Sequence, residues 1–177
     1  MKALLKKIFQ NKKISSDKDL KFLDLKNNKG VNKIFGAINN HNETSEIRYV
    51  GGCVRKILND EKTDDIDLAT NLTPDQVKQC LEKSQIKFFE TGIEHGTITA
   101  VIDDQNFEIT TLRKDVKTDG RHAVVEYTTN WKEDSLRRDF SINSIYSDLD
   151  GNLYDPNSGH KDLNNGIIKF IGDPESR

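Results

Sequence analysis

IRYVGGCVRKILNDEKTDDIDLAT, residues 47–70, decides how this chain is read. Ile47–Val50 reads as a short strand. It runs into Gly51-Gly52, and Val54–Leu58 then supplies one or two helical turns. A polar turn, Asn59–Asp64, leads to a second short strand around Asp65–Leu68. Residues two apart on a strand point to the same face, so Asp65 and Asp67 project together while Ile66 enters the core. Two carboxylates on one rigid edge are able to hold two Mg²⁺ ions, ~3.5–4 Å apart, which clamp the attacking and leaving oxygens of an in-line displacement. Mg²⁺ favours a few carboxylates completed by waters and substrate phosphates. Taken alone the triplet is a weak signal, because acidic pairs in turns are ordinarily solvated and Asp64 reads equally as a turn residue.

The glycines change the balance. Without side chains they let a phosphate approach the backbone N–H groups at the start of a helix. Arg55, one turn in, reaches a triphosphate with a two-pronged guanidinium. A tight turn needing positive φ would also use Gly-Gly. Phosphate cradle and acidic strand are nevertheless joined by one short unit.

Further along, Phe107 and Ile109 share one face of a strand and Glu108 and Thr110 the other. Glu108 either completes the acidic site or accepts a proton from an attacking hydroxyl; an exposed glutamate fits the spacing equally well. In Arg137-Arg138-Asp139-Phe140-Ser141-Ile142-Asn143, a helix would bring Asp139 and Asn143 together at i and i+4. That pair would bind ribose hydroxyls and an arginine would bind phosphate. A salt-bridged surface helix is the plainer alternative, with Phe140, Ile142 and Ile145 in the core.

The remaining pattern frames these motifs. Val31, Ile34, Phe35 and Ile38 recur on one helical face, and residues 1–45 read as helical. Thr73-Pro74-Asp75-Gln76 carries a capping box with proline at the first helical position, starting a helix to about Ser84. Lys87–Glu90, Thr97–Ile102 and Phe107–Leu112 read as strands. Residues 113–125, charged and glycine-containing, read as a mobile loop. Asn130 with Glu133 starts a helix expected to reach about Ser144, and Asp150-Gly151 marks a hairpin. The order predicts an α+β fold, a small mixed or antiparallel sheet with helices on one face plus N-terminal helices.

Composition limits the partners. The 177 residues hold 27 Lys and Arg against 29 Asp and Glu, a formal net charge of −2. A general nucleic-acid binder is strongly basic, so any RNA contact is local. Cys53 and Cys80 lack metal spacing and read as free thiols in a reducing cytosol. No apolar run approaches the ~20 residues of a membrane span. Residues 1–13 are basic and amphipathic, but transit peptides are rich in arginine and this stretch has none. The expected location is the cytoplasm.

Six motifs appear in order: GGCVR, DDIDLAT, FEITTLR, DGRHAVVEYT, RRDFSINS and DPNSGHKDLNNGIIKFIGDP. Over residues 46–177 the chain resembles the head of the bacterial class II CCA-adding enzymes and the related poly(A) polymerases. The resemblance implies a polymerase-β-like nucleotidyltransferase fold that transfers CMP and AMP from CTP and ATP to the 3′ end of tRNA. It implies Asp65 and Asp67 as metal carboxylates for two Mg²⁺ and Glu108 as the third acid. Gly51, Gly52 and Arg55 match the triphosphate turn. Arg138, Asp139 and Asn143 match the nucleotide and ribose motif, and the loop around Asp119–Arg121 matches a segment that helps select the nucleotide. Lys56 stands where the family usually has aspartate. The family continues, beyond the motifs present here, with an ED-x-LR-x-x-R helix that reads the base and then with tRNA-gripping domains. The expectation is therefore a fragment: an N-terminal extension (1–45), a head (46–155) and a turn-rich segment leading to a neck (156–177). It would bind Mg²⁺–nucleotide weakly and with little base preference. Poly(A) addition and a non-catalytic RNA- or nucleotide-binding module are the alternatives.

Overall fold

A computed structural model describes residues 21–63, 65–116 and 124–173. The loop around Asp119–Arg121, Asp64, the first twenty residues and the last four lie outside them.

The elements begin with α1 (Leu23–Lys26), α2 (Lys29–Asn39) and β1 (Ile47–Val50). Next come α3 (Gly52–Leu58), β2 (Ile66–Thr70), α4 (Pro74–Lys83) and β3 (Lys87–Gly92). A 3₁₀ turn (Ile93–His95) leads to β4 (Thr97–Ile102) and β5 (Gln105–Thr111). β6 (Arg113–Val116), β7 (Val124–Tyr127) and α5 (Trp131–Leu136) follow. A second 3₁₀ turn (Ser141–Asn143), β8 (Tyr146–Ser147), β9 (Leu153–Tyr154) and α6 (Gly159–Asn164) complete the order.

Seven strands form one sheet in the order β3-β4-β5-β2-β1-β8-β9, while β6 and β7 pair separately. In the large sheet only β2 and β5 run parallel, so the sheet is mixed as expected. Strand alternation sorts the faces. Ile66 and Leu68 of β2, Ile98 and Ala100 of β4, and Phe107 and Ile109 of β5 enter one core. Against them pack Val31, Ile34, Phe35 and Ile38 of α2, Val54 and Ile57 of α3, and Val77 and Leu81 of α4. Phe22 and Leu25 belong to the same core. A smaller cluster on the opposite face gathers Val50, Ala69, Leu112, Trp131 and Tyr146.

Helix starts follow local chemistry. The Asn28 side chain accepts from Val31 N–H at the head of α2. Thr73 and Gln76 form the full capping box of α4, with Pro74 at its first position. The Asp150-Gly151 hairpin joins β8 to β9, with Asp148 Oδ1 accepting from the N–H groups of Asp150 and Asn152.

Two expectations fail. Residues 113–125 do not form one loop: Arg113–Val116 pairs antiparallel with Val124–Tyr127. The charges that suggested a loop serve the pairing, because Lys114 and Glu126 stand opposite one another and form an ion pair at 2.8 Å. The helix from Asn130 also stops at Leu136 instead of Ser144. The backbone beyond it is engaged elsewhere: Ser141 N–H donates to Lys169 C=O, Ile171 N–H donates to Asp139 C=O, and Phe140 bridges Phe170. Groups used in that bridge are lost to an i→i−4 ladder. Asp139 and Asn143 therefore do not share a helix face, and only Ile145 of the three apolar residues is fully buried, Phe140 and Ile142 being half-buried.

Candidate active site

The parallel pairing of β2 with β5 sets Asp67 directly beside Glu108. Both residues point away from the core that Ile66, Leu68, Phe107 and Ile109 fill. On its other side Glu108 is opposite Thr99 of β4. Asp67 and Glu108 line a cleft of about 350 Å³ with His95, Arg113, Arg137 and Arg138.

Burial, and then repulsion from Glu108 and Asp65, hold the Asp67 carboxyl above the usual carboxylate range, against the pull of Arg138 and Lys56. Asp65 lies one residue before β2 and is exposed; it does not line the cleft. Among the described residues no three His, Cys, Asp or Glu side chains are grouped tightly enough to hold an ion. The donor chemistry nevertheless fits a hard divalent cation: crowded carboxylates that raise one another's proton affinity are relieved by positive charge.

The glycine turn does not line the cleft but lies next to Arg138, which does. Gly51 has φ +70°, a conformation that side-chain-bearing residues rarely adopt, and precedes the seven-residue α3. A Cβ at Gly51 would stand 3.6 Å from Arg138 Nη1 and 3.8 Å from the Asn143 carbonyl oxygen. Above Gly52 the space is open. Arg55 Nη1 donates to Asn143 Oδ1. Gly51, Arg55, Arg138 and Asn143 are thus gathered from segments nearly ninety residues apart. Asp139 is exposed, and its carbonyl serves the Phe140–Phe170 bridge region. Behind the turn, the Cys53 thiol donates to Val50 C=O at 3.3 Å, and burial pushes it up to about 11. It stays a neutral, structural thiol. Cys80 is also free and buried.

Residue-by-residue reading of the sequence missed Asp134. Its side chain is 1% exposed and accepts from Arg137, Arg138, Tyr146 and the Arg113 amide. Burial pulls its carboxyl upward, but Arg138, Arg137 and the two other donors outweigh it and hold it below the usual range. The signal was present as Asp134 at i−3 and i−4 from Arg137 and Arg138. His95 and Arg113 were also missed; nothing in the sequence shows that the turn after β3 reaches the acidic strands.

The chain matches the model of the Poly A polymerase head domain over residues 47–169. It is 48% identical to human "CCA tRNA nucleotidyltransferase 1, mitochondrial" over 136 residues, 76% of this chain and 31% of that protein. It is 40% identical to the "CCA-adding enzyme" of Lactobacillus helveticus over 134 residues, 75% of this chain and 33% of that protein. Among solved structures it is similar to the Bacillus stearothermophilus CCA-adding enzyme in complex with CTP, with a TM-score of 0.71 and 30% identity. That match covers 81% of this chain and 33% of the other. The chain spans about a third of the length of the curated relatives it matches. By the extent of the head-domain match, the chain belongs to the Poly A polymerase head domain family, with CCA-adding enzymes among its relatives.

Proposed function

We propose that this chain is the catalytic head of an RNA nucleotidyltransferase that adds CMP and AMP, taken from CTP and ATP, to the 3′ end of tRNA without a template. The observation that carries this reading is that Asp67, Glu108, Arg113, Arg137 and Arg138 line one cleft. Carboxylates and guanidiniums in one cleft are what a metal–triphosphate substrate requires. A similar solved enzyme is described in complex with CTP, and another, 25% identical, with a primer tRNA and an ATP analog.

In this reading Arg138 and Arg55, with the bare backbone at Gly51-Gly52, hold the triphosphate. Asp65 and Asp67 would hold two Mg²⁺. Bound there, the ions supply positive charge to the attacking and leaving oxygens. The 3′-hydroxyl of the RNA attacks the α-phosphate; the new O–P bond forms as the bond to pyrophosphate breaks. Glu108, beside Asp67, is the group we assign to receive the hydroxyl proton. Asn143 fixes Arg55 and borders the turn, where a ribose hydroxyl would lie. Asp139 is kept as a ribose contact only through the family motif. Positioning and charge complementarity carry most of the acceleration.

Among the described residues no helix is long and apolar enough to cross a membrane.

The shared head family makes poly(A) addition the second reading. The full-length protein is to be incubated with tRNA lacking CCA, Mg²⁺, and CTP and ATP singly and together. Ordered addition of two C and one A is expected. Long runs of A without C would replace the first reading by the second, and no transfer would remove both.

A further inference from the structure

Asp134 lies outside the cleft lining, yet it holds residues that border the cleft. Its Oδ1 accepts from Arg137 Nε at 2.9 Å and from the Arg113 N–H at 3.1 Å. Its Oδ2 accepts from Arg138 Nε at 3.3 Å, Arg138 Nη2 at 3.1 Å and Tyr146 Oη at 2.7 Å. Five donors therefore converge on one carboxylate, and both guanidiniums that it holds border the cleft.

We propose that Asp134 is a positioning residue whose two buried oxygens orient Arg137 and Arg138 toward the triphosphate of an incoming nucleotide. The inference rests on the nucleotide reading above and deepens it.

Three observations support the assignment. First, Asp134 binds the Nε–Nη2 edge of Arg138, and the remaining Nη1 stands 3.6 Å from where a Gly51 Cβ would lie. One edge of the fork is anchored and the other is turned to the glycine turn. Second, one carboxylate is matched with two guanidiniums, so the trio carries one positive charge beyond its own ion pairing. A pair kept for stability alone gains nothing from a second buried cation, since even a balanced buried ion pair is often no better than apolar packing. Third, the Arg113 N–H ties the start of β6 to the same carboxylate, and the Arg113 side chain also borders the cleft. One residue thus sets the origin of three cleft arginines. Arg137 joins the phosphate grip proposed above for Arg138.

The test measures binding of inorganic tripolyphosphate, at fixed Mg²⁺, by calorimetry. The proteins are the wild-type chain, Asp134→Asn, Arg137→Lys and the core variant Ile34→Ala. Arg137→Lys keeps the charge but loses the Nε donor, so a roughly tenfold weaker binding is expected of it and of folded Asp134→Asn. Ile34→Ala lowers the melting temperature without touching the arginines, and wild-type binding is expected of it. Wild-type binding by Arg137→Lys would overturn the inference, and so would equal weakening in Ile34→Ala. If Asp134→Asn does not fold, Arg137→Lys decides. A wild-type chain that binds no tripolyphosphate would overturn the nucleotide reading and this inference together; unchanged variants would overturn only the inference.

Discussion

At the residue scale, Asp67 and Asp134 are carboxylates of opposite character. Asp67 has its proton affinity raised by burial and by two neighbouring acids. Between the ordinary and the raised value the native state keeps a proton that the unfolded chain has released. Stability therefore falls as pH rises through that window, and the penalty is fully present above it. Asp67→Asn should melt higher than wild type at pH 7–8, with an advantage that fades as pH falls through that window and is gone below ~4. The same change should lower nucleotide transfer by ~100-fold or more. A melting advantage that stays constant down to pH 3.5 would contradict the electrostatic cause. Asp134 is held below the ordinary range by its arginines. Its contribution is present above that range and lost as pH falls through the lowered value. Removing one partner from a buried pair costs about 3–5 kcal/mol. Asp134→Asn should accordingly melt lower than wild type across pH 5–8 in thermal unfolding monitored by circular dichroism. Asp67 and Glu108 were legible as residues turned away from the core because strand alternation alone separates them from Ile66, Phe107 and Ile109; Asp65, one residue before β2, falls outside that alternation. Asp134 was not, because a buried carboxylate is identified by what surrounds it.

At the element scale, legibility followed whether local chemistry was sufficient. The start of α4 is encoded within four residues, and its capping box forms as read. Thr73→Ala should cost about 1 kcal/mol, measured by denaturant unfolding, with nucleotide binding unchanged. The end of α5 is encoded nowhere nearby: residues 139–141 are taken by 169–171, some thirty residues downstream. The same region depends on a close approach that the sequence conceals. A Cβ at Gly159 would stand 2.0 Å from the Ser141 carbonyl oxygen, so the head of α6 packs on the 3₁₀ turn that carries Asn143. Gly159→Ala should destabilise by about 1–3 kcal/mol and weaken nucleotide binding by displacing Asn143 from Arg55. Wild-type affinity in a measurably destabilised Gly159→Ala would show that this turn does not set the site. The hairpin of β6 and β7 was misread because a charge-rich segment looks solvated until cross-strand partners such as Lys114 and Glu126 are known.

At the scale of the whole molecule, the parallel contact of β2 with β5 is the decisive one in an otherwise antiparallel sheet. It brings Glu108 to Asp67 from forty-one residues away in the chain, and the acidic pair then shares a cleft with Arg113 of β6 and with Arg137 and Arg138, just past α5. A cation that binds the native cluster and not the unfolded chain raises stability by mass action. Mg²⁺ titration should raise the melting temperature of wild type and have a much smaller effect on Asp67→Asn. An equal rise in both would place the ion elsewhere.

Sequence alone determined the features set by short-range sterics and hydrogen bonding. These are the strand–Gly-Gly–helix unit, the face that Asp67 shares against Ile66 and Leu68, the capping box at Thr73, and the order of motifs that marks the family. Only the tertiary structure decided which side chains meet: Asp67 with Glu108, Arg55 with Asn143, and Asp134 with Arg137 and Arg138. Capping and alternation act over two to four residues and are written locally, whereas the charges of a cleft are brought together by sheet pairing and core burial across the whole chain.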